Sequence, residues 1–345
     1  MINLKATTIK DIAKKCGVGV STVSRAINNH PEINEDTRNM IMEVIKESNF
    51  IPNNSARNLK LSDTKTIAVL IKGIDNPFFQ NMIKVFEEEI QNKKYTFILH
   101  RVDSNQDEVE VALELIKEKR LKGIVFLGGS FSHQENKLQE INIPFVLSTI
   151  AIAEDVDKNL YSSVSVDDIS ESKKIVDFLC ENGHEKIAIL AYDSGDRSIS
   201  RLRVEGYCEA LKKRNIPINK NLIRYTYDSL SAYTMENGYN LMKELLEEGE
   251  DFTAVYAISD SMAVGACKAI LEYGKKIPDD YSVVGFDGLD ISYYYNPSIT
   301  TIRQPVEMMA KETTNILFDL INKKSKHQHK VFEGELIVRD STSKL

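Results

Sequence analysis

Two hydrophobic periodicities divide the chain. Over residues 8–48 apolar side chains recur at helical spacing: Ile9, Ile12 and Ala13, then Val23, Ala26 and Ile27, then Met40, Ile41, Val44 and Ile45. Thr8, with Asp11 three residues on, is a capping-box start for the first helix, Gly17 supplies a left-handed residue at its end, and Asn34 caps the third. Three short helices with a glycine-bearing turn between the first two predict a helix-turn-helix unit.

From Thr66 onward the pattern changes to short apolar runs, "TIAVLI", "YTFILHR", "GIVFLG", "PFVLST", "VSVD", "KIAILA", "TAVYAIS" and "SVVGFD". Amphipathic stretches such as "FFQNMIKVFEEEIQNKK" and "QDEVEVALELIKEKR" separate them. Strands alternating with helices predict an α/β body of parallel sheets. Its two similar halves, about 66–160 and 163–290, predict two lobes with a cleft at the carboxyl ends of the strands. The expected organisation is therefore a helix-turn-helix domain at 1–50, a short connecting segment at 51–62 and a bilobed body at 63–345.

Composition refines this picture. A chain of 345 residues with 42% hydrophobic content fits two or three globular domains. No run of 18 apolar residues occurs, and the start "MINLKATTIKDIAKK" lacks the apolar core of a secretion signal, so a cytoplasmic protein is expected. Cys16, Cys180, Cys208 and Cys267 lie far apart with no CxxC spacing, which suits reduced, space-filling thiols. "HQH" at 327–329 sits in a polar tract without acidic partners and reads as a solvated loop, so no metal is expected. The net charge of −7 is unevenly spread: residues 1–61 carry +3 and the remainder −10, as in a small basic reader joined to an acidic body.

Chemistry concentrates in three places. The outer side of the second helix offers Ser21, Thr22, Ser24, Arg25 and Asn28, groups suited to phosphates and base edges; a purely structural three-helix unit would not need them. Residues 51–66, "IPNNSARNLKLSDTKT", resemble a linker but allow barely two helical turns from Asn53 to Lys60, too short to be stable alone. Ala56 and Leu59 would share one face of that helix and Arg57 and Lys60 another. Two such helices in a dimer could pair through Ala56 and press Leu59 into a base step. In the body, strand-end polarity nominates Asp75, Asn76, Phe78 and Phe79, Arg197 and Arg203, Ser259 and Asp260, and Asp287. No GxGxxG, GxxxxGK[ST] or GxSxG is present, and only an Asp260–Asp287 glycosidase pair could be imagined for catalysis, so the chain reads as a non-enzyme without a cofactor.

"TIKDIAKKCGVGVSTVSRAINN", followed by "PNNSARNLK", resembles the amino terminus of the LacI/GalR family of bacterial transcription regulators, and "NPSITTIRQP" and "ELIVRDST" extend the likeness through the body. The resemblance implies that Val20, Ser21 and Arg25 read bases, that Thr8, Ser24, Asn28 and Thr37 lie near phosphates, and that Asn53, Ala56 and Leu59 belong to a hinge helix. Gly19 replaces a frequent Ser, and Cys16 a frequent Ala. It also implies effector contacts from Arg203, Asp260 and Asp287, with Arg197, Phe78 and Phe79. Thr149 stands where sugar- and purine-responsive members commonly place an Asp. The family further implies discontinuous lobes, one formed by about 63–161 and 291–320 and the other by about 162–290 and 321–345. Asn296 and Pro297 are expected at a crossing between them. Ile302 and Gln304 are expected to return in a strand, Gln304 in a structural role.

Together these readings predict a dimeric repressor of carbohydrate-utilisation genes that binds a near-palindromic operator and responds to a non-covalent, sugar-like effector. The alternatives are a global catabolite regulator acting with a phosphocarrier protein, or a sugar-binding protein without DNA function.

Overall fold

The computed structural model describes residues 8–27, 30, 33–48, 65–73, 75–103, 105–131, 135–152, 156–192, 198–226 and 232–345. Asn28, Asn53, Ala56, Arg57, Leu59 and Arg197 lie outside them. The chain divides into two compact units, residues 1–64 and 65–345.

The first unit holds α1 (Ile9–Cys16), α2 (Val20–Ile27) and α3 (Glu35–Glu47). Thr8 and Asp11 form the reciprocal capping box, with the Thr8 amide 2.9 Å from the Asp11 carboxylate. Gly17 ends α1 at φ 64°, a conformation glycine adopts without strain. Ile12, Val23 and Ile41 meet at the centre, each completely buried, contributing roughly 1.5–3 kcal/mol apiece. Met40, expected on the inner stripe, is 41% exposed instead.

The second unit opens with β1 (Thr66–Lys72), α4 (Phe78–Asn92), β2 (Thr96–Val102), α5 (Glu108–Lys119), β3 (Gly123–Leu127) and β4 (Phe145–Ser148). It continues with β5 (Ser162–Val166), α6 (Asp168–Glu181), β6 (Ile187–Tyr192), α7 (Ile199–Lys213), β7 (Ile223–Thr226) and α8 (Met235–Glu248). It closes with β8 (Ala254–Ala257), α9 (Asp260–Glu272), β9 (Ser282–Asp287), β10 (Thr300–Arg303), α10 (Val306–Ile321), β11 (His329–Phe332) and β12 (Glu335–Ile337). Two six-stranded sheets result, ordered β11-β5-β4-β3-β1-β2 and β12-β10-β9-β8-β6-β7. Their strands pair in parallel, except that β12 runs antiparallel to β10. Central strands such as β3 and β9 are buried along their whole length, as helices covering both faces require.

The pairing corrects the expected lobe boundaries. Residues 162–166 belong to the first lobe, because β5 pairs with β4. Residues 300–303 belong to the second, because β10 pairs with β9, while 329–332 return to the first beside β5. The chain therefore changes lobe at Asp167, at Gln304–Pro305 and at Glu333–Gly334. Asn296 and Pro297 mark no crossing, since the short helix Asp290–Tyr294 and β10 on either side of them lie in the second lobe. Ile302 is in β10 as expected. His329 opens a strand instead of lying in a loop, its ring nitrogens held by Ser163 and the Lys158 carbonyl at 2.8 and 2.9 Å.

Candidate functional site

In α2, Val23 and Ala26 turn inward, which leaves Ser21 and Arg25 exposed on the opposite side, Val20 exposed at the start of the helix and Ser24 half-buried. Thr8 and Thr37 lie at the amino ends of α1 and α3, Thr8 exposed and Thr37 half-buried. A helix whose outer side carries small groups, one exposed apolar residue and a guanidinium has the dimensions and chemistry to enter a major groove.

In the second unit the carboxyl ends of both sheets face a cavity of about 1050 Å³. Lys72, Asp75, Asn76, Phe78 and Phe79 enter it after β1, Arg101 and Asp103 from the end of β2, and Thr149 after β4. Across from them stand Asp168, Tyr192, Ser198, Arg203, Tyr233, Asp287 and Gln304. Both phenylalanines line the cavity, with rings edge-on at 5.5 Å. Gly128 is required beside them, because at φ 71° a Cβ there would lie 2.5 Å from the Phe79 ring. Thr149 holds φ 54°, a strained value for a β-branched residue, and its hydroxyl donates to the Ser148 carbonyl at 2.7 Å.

Arg203 is the hub of the second wall. It is 4% exposed, lies 3.6 Å above the Phe286 ring, donates from Nε to Asp168 at 2.8 Å and from Nη1 to the Ile258 carbonyl, and stands 3.6 Å from Asp287. Burial works against its charge, but Asp168 and Asp287 outweigh that and hold the guanidinium more firmly protonated than usual. Asp287, 3% exposed at φ 115°, accepts from the Gln304 amide at 2.8 Å through Oδ1. Its Oδ2 is buried and has no hydrogen-bond partner among the described residues. Burial pushes the carboxyl up to about 7, against the opposing pull of Arg203 and Gln304. Burial likewise raises Asp168 and Tyr233 above their ordinary values.

Asp260 does not line the cavity. It is fully buried, accepting from the Thr301 hydroxyl and the Leu289 amide at 2.6 Å each, and it approaches β9 over Gly285, where any Cβ would meet Oδ1 at 2.3 Å. Burial and the Asp287 charge push it up to about 8. Its strand-end position correctly marked polar chemistry, but the side chain turns back to fasten the β9–β10 corner. Gln304, expected to be structural, both lines the cavity and orients Asp287. Asp168 went unnoticed because it stands beside Asp167, whose helix-capping bond to Ser170 is a sufficient local reason for an acidic residue there.

Comparison with known proteins is consistent with both units. Residues 8–53 match the bacterial regulatory proteins of the lacI family, and residues 176–342 match a periplasmic binding protein-like domain. The HTH-type transcriptional regulator MalR of Clostridium butyricum is 43% identical over 335 residues, 96% of this chain and 98% of that protein. The chain belongs to the LacI family. This LacI-family protein is a DNA-binding transcriptional regulator, as its relatives are, and not an enzyme. The probable HTH-type transcriptional repressor ExuR of Bacillus subtilis (strain 168) is 33% identical over 98% of this chain and 99% of that one. Among solved structures, the lac repressor dimer bound to operator and anti-inducer shares the fold, with a TM-score of 0.76 over 98% of this chain and 100% of that one at 23% identity. A complex of the transcriptional regulator CelR with cellobiose gives 0.70 at 26% identity, covering 97% and 99%.

Proposed function

We propose that this regulator is a repressor of carbohydrate-utilisation genes, binding a near-palindromic operator as a homodimer and releasing or tightening its hold when a saccharide-like effector occupies the cleft. In the reader, Arg25 and Ser21 address base edges and exposed Val20 a thymine methyl, while Thr8, Ser24, Asn28 and Thr37 meet phosphates. Asn53, Ala56, Arg57 and Leu59 form the hinge segment, with Leu59 as the wedge in the minor groove. In the cleft, Asp287 and Arg203 bind hydroxyls, Phe78 and Phe79 cover an apolar sugar face, and Arg197 and Thr149 complete the ring.

The observation that carries the effector reading is the unpartnered Oδ2 of Asp287. A buried carboxylate oxygen is costly unless a donor reaches it, and because Asp287 lines the cavity a saccharide hydroxyl could be that donor. The solved CelR–cellobiose complex supports a sugar in a body of this shape. A second reading, a catabolite regulator acting with a phosphocarrier protein, draws support from Thr149, which offers no carboxylate and whose hydroxyl already donates to Ser148.

Fluorescence anisotropy on a duplex selected by the protein from a random pool tests the proposal. At least one member of a mono- and disaccharide panel is expected to change duplex affinity by about 5- to 150-fold, the usual span of coupling between two sites. Silence across the panel, with a response only when a phosphocarrier protein is added, would replace this reading by the second.

A further inference from the structure

The two ends of the first sheet differ in chemistry. Its carboxyl end forms the cleft, whereas its amino end is built from connectors that read "QNKKY" before β2, "KRLK" before β3 and "NKKSKHQ" before β11. Because the strands are parallel and start in step, with Thr66 beside Thr96, Ile67 beside Gly123 and Ser163 beside His329, these connectors share one edge of the molecule. The sheet is about 24 Å wide at the usual strand spacing.

An aromatic pair joins the lysines of separate connectors. Tyr95 and the α10 residue Phe318 meet edge-on at 4.9 Å, Lys65 Nζ lies over the Tyr95 ring at 5.8 Å, and Lys93 Nζ lies over Phe318 at 5.7 Å. Lys323 and Lys324 follow directly where α10 ends. Lys65, Lys93, Lys94, Lys323, Lys324 and Lys326 are all exposed, and none has an ion-pair partner among the described residues. Glu140 and Asp157 are the acidic groups of the described connectors.

The corresponding end of the second sheet is mixed: Lys212, Lys213, Lys220 and Lys276 are exposed without an ion-pair partner among the described residues, but other basic groups there are paired. There Lys186 pairs with Asp251, Arg214 with Asp177 and Glu181, and Lys275 with Asp280. In a chain of net charge −7, the amino end of the first sheet gathers six exposed ammonium groups without an ion-pair partner among the described residues. Among the described residues these connectors also carry no large exposed apolar side chain of the kind that insertion into a bilayer would use. The chain enters the second unit at this same end, through Lys65 and Thr66.

We infer that the amino end of the first sheet is a second, sequence-independent contact with duplex DNA, in which these lysines neutralise phosphates flanking the operator. Ammonium groups on flexible stems suit phosphate as point charges and read no bases. The contact adds affinity, makes it more salt-dependent and leaves the choice of sequence to the reader.

The test is the salt dependence of binding by the full chain to a duplex extending well beyond the operator on both sides. A variant combining Lys93→Gln, Lys94→Gln, Lys323→Gln and Lys324→Gln is compared with one carrying Arg at the same four positions. If two phosphate contacts are lost, the slope of log affinity against log salt becomes shallower by about 1.8, so that between 50 and 200 mM salt the wild type weakens about 12-fold more than the Gln variant. The Arg variant should keep the wild-type slope, and thermal melting should be the same for all three. A Gln variant with the wild-type slope overturns the inference, even if it loses binding to anionic vesicles or to an acidic protein. So does an equal loss of slope in the Gln and Arg variants.

Discussion

The cleft wall built from β6, α6, α7 and β9 is a closed set of buried charges, whereas the wall built from β1, β2 and β4 keeps its charges near water. Arg203 and Asp168 are at most 5% exposed and hold each other at 2.8 Å. Opposite them, the Lys72 side chain is 24% exposed against Glu108, and Arg101 faces Asp103 with both more than half exposed. On the proposed reading, the difference divides the labour of binding. A ligand held by the first group, as proposed above, would meet a preorganised acceptor and lose little affinity to ordering the protein, whereas the second group can exchange solvent-screened partners.

The most severe way to break the preorganised wall is Arg203→Met. Two buried carboxylates, Asp168 and Asp287, would then lose their counter-ion, and the Ile258 carbonyl its donor. Breaking a buried pair from one side typically costs about 3–5 kcal/mol. Chemical denaturation of the protein should show a loss of that order. A loss near zero would mean that the buried network is not the rigid element described here.

A milder perturbation sharpens the comparison through pH. Asp260 and Asp287 are raised to about 8 and about 7, chiefly by burial, far above carboxyls in an unfolded chain. The native state therefore holds protons that the unfolded state releases. The resulting stability is fully present below about pH 4 and is lost progressively as the pH rises through about 8. Asp260→Asn removes one of these ionisations and its repulsion of Asp287, so the decline in melting temperature between about pH 6 and 8 should flatten. A variant that declines as steeply as the wild type would assign the pH dependence to other groups.

Much of this was legible in the sequence, and the failures have physical causes. Thr8, Gly17 and Asn34 marked the ends of the first unit's helices because capping is local chemistry. The apolar runs marked strands because both faces of each sheet are covered. Lobe membership was not legible, since a crossing such as Glu333–Gly334 is two residues long and leaves no compositional trace. Arg203 and Asp287 could be nominated from strand-end polarity, but the turn of Asp260 away from the cavity and over β9 depends on the absent side chain of Gly285, a partner 25 positions away. Asp168 was obscured by the capping role of its neighbour Asp167, and the part Gln304 plays in the cavity by its dependence on Asp287, 17 positions away.

The central claim is that the free oxygen of Asp287 waits for a donor from the ligand. Calorimetric titration of the wild type and Asp287→Asn with an active saccharide from the panel tests it most directly. The substitution can retain the acceptor for Gln304 while replacing Oδ2 by an amide nitrogen. At a pH above about 8, where the carboxyl is ionised, losing a hydrogen bond to a charged group is worth about 1.5–3 kcal/mol, so affinity should fall by about 10- to 150-fold while the fold persists. Undiminished affinity in a folded Asp287→Asn protein would contradict the account.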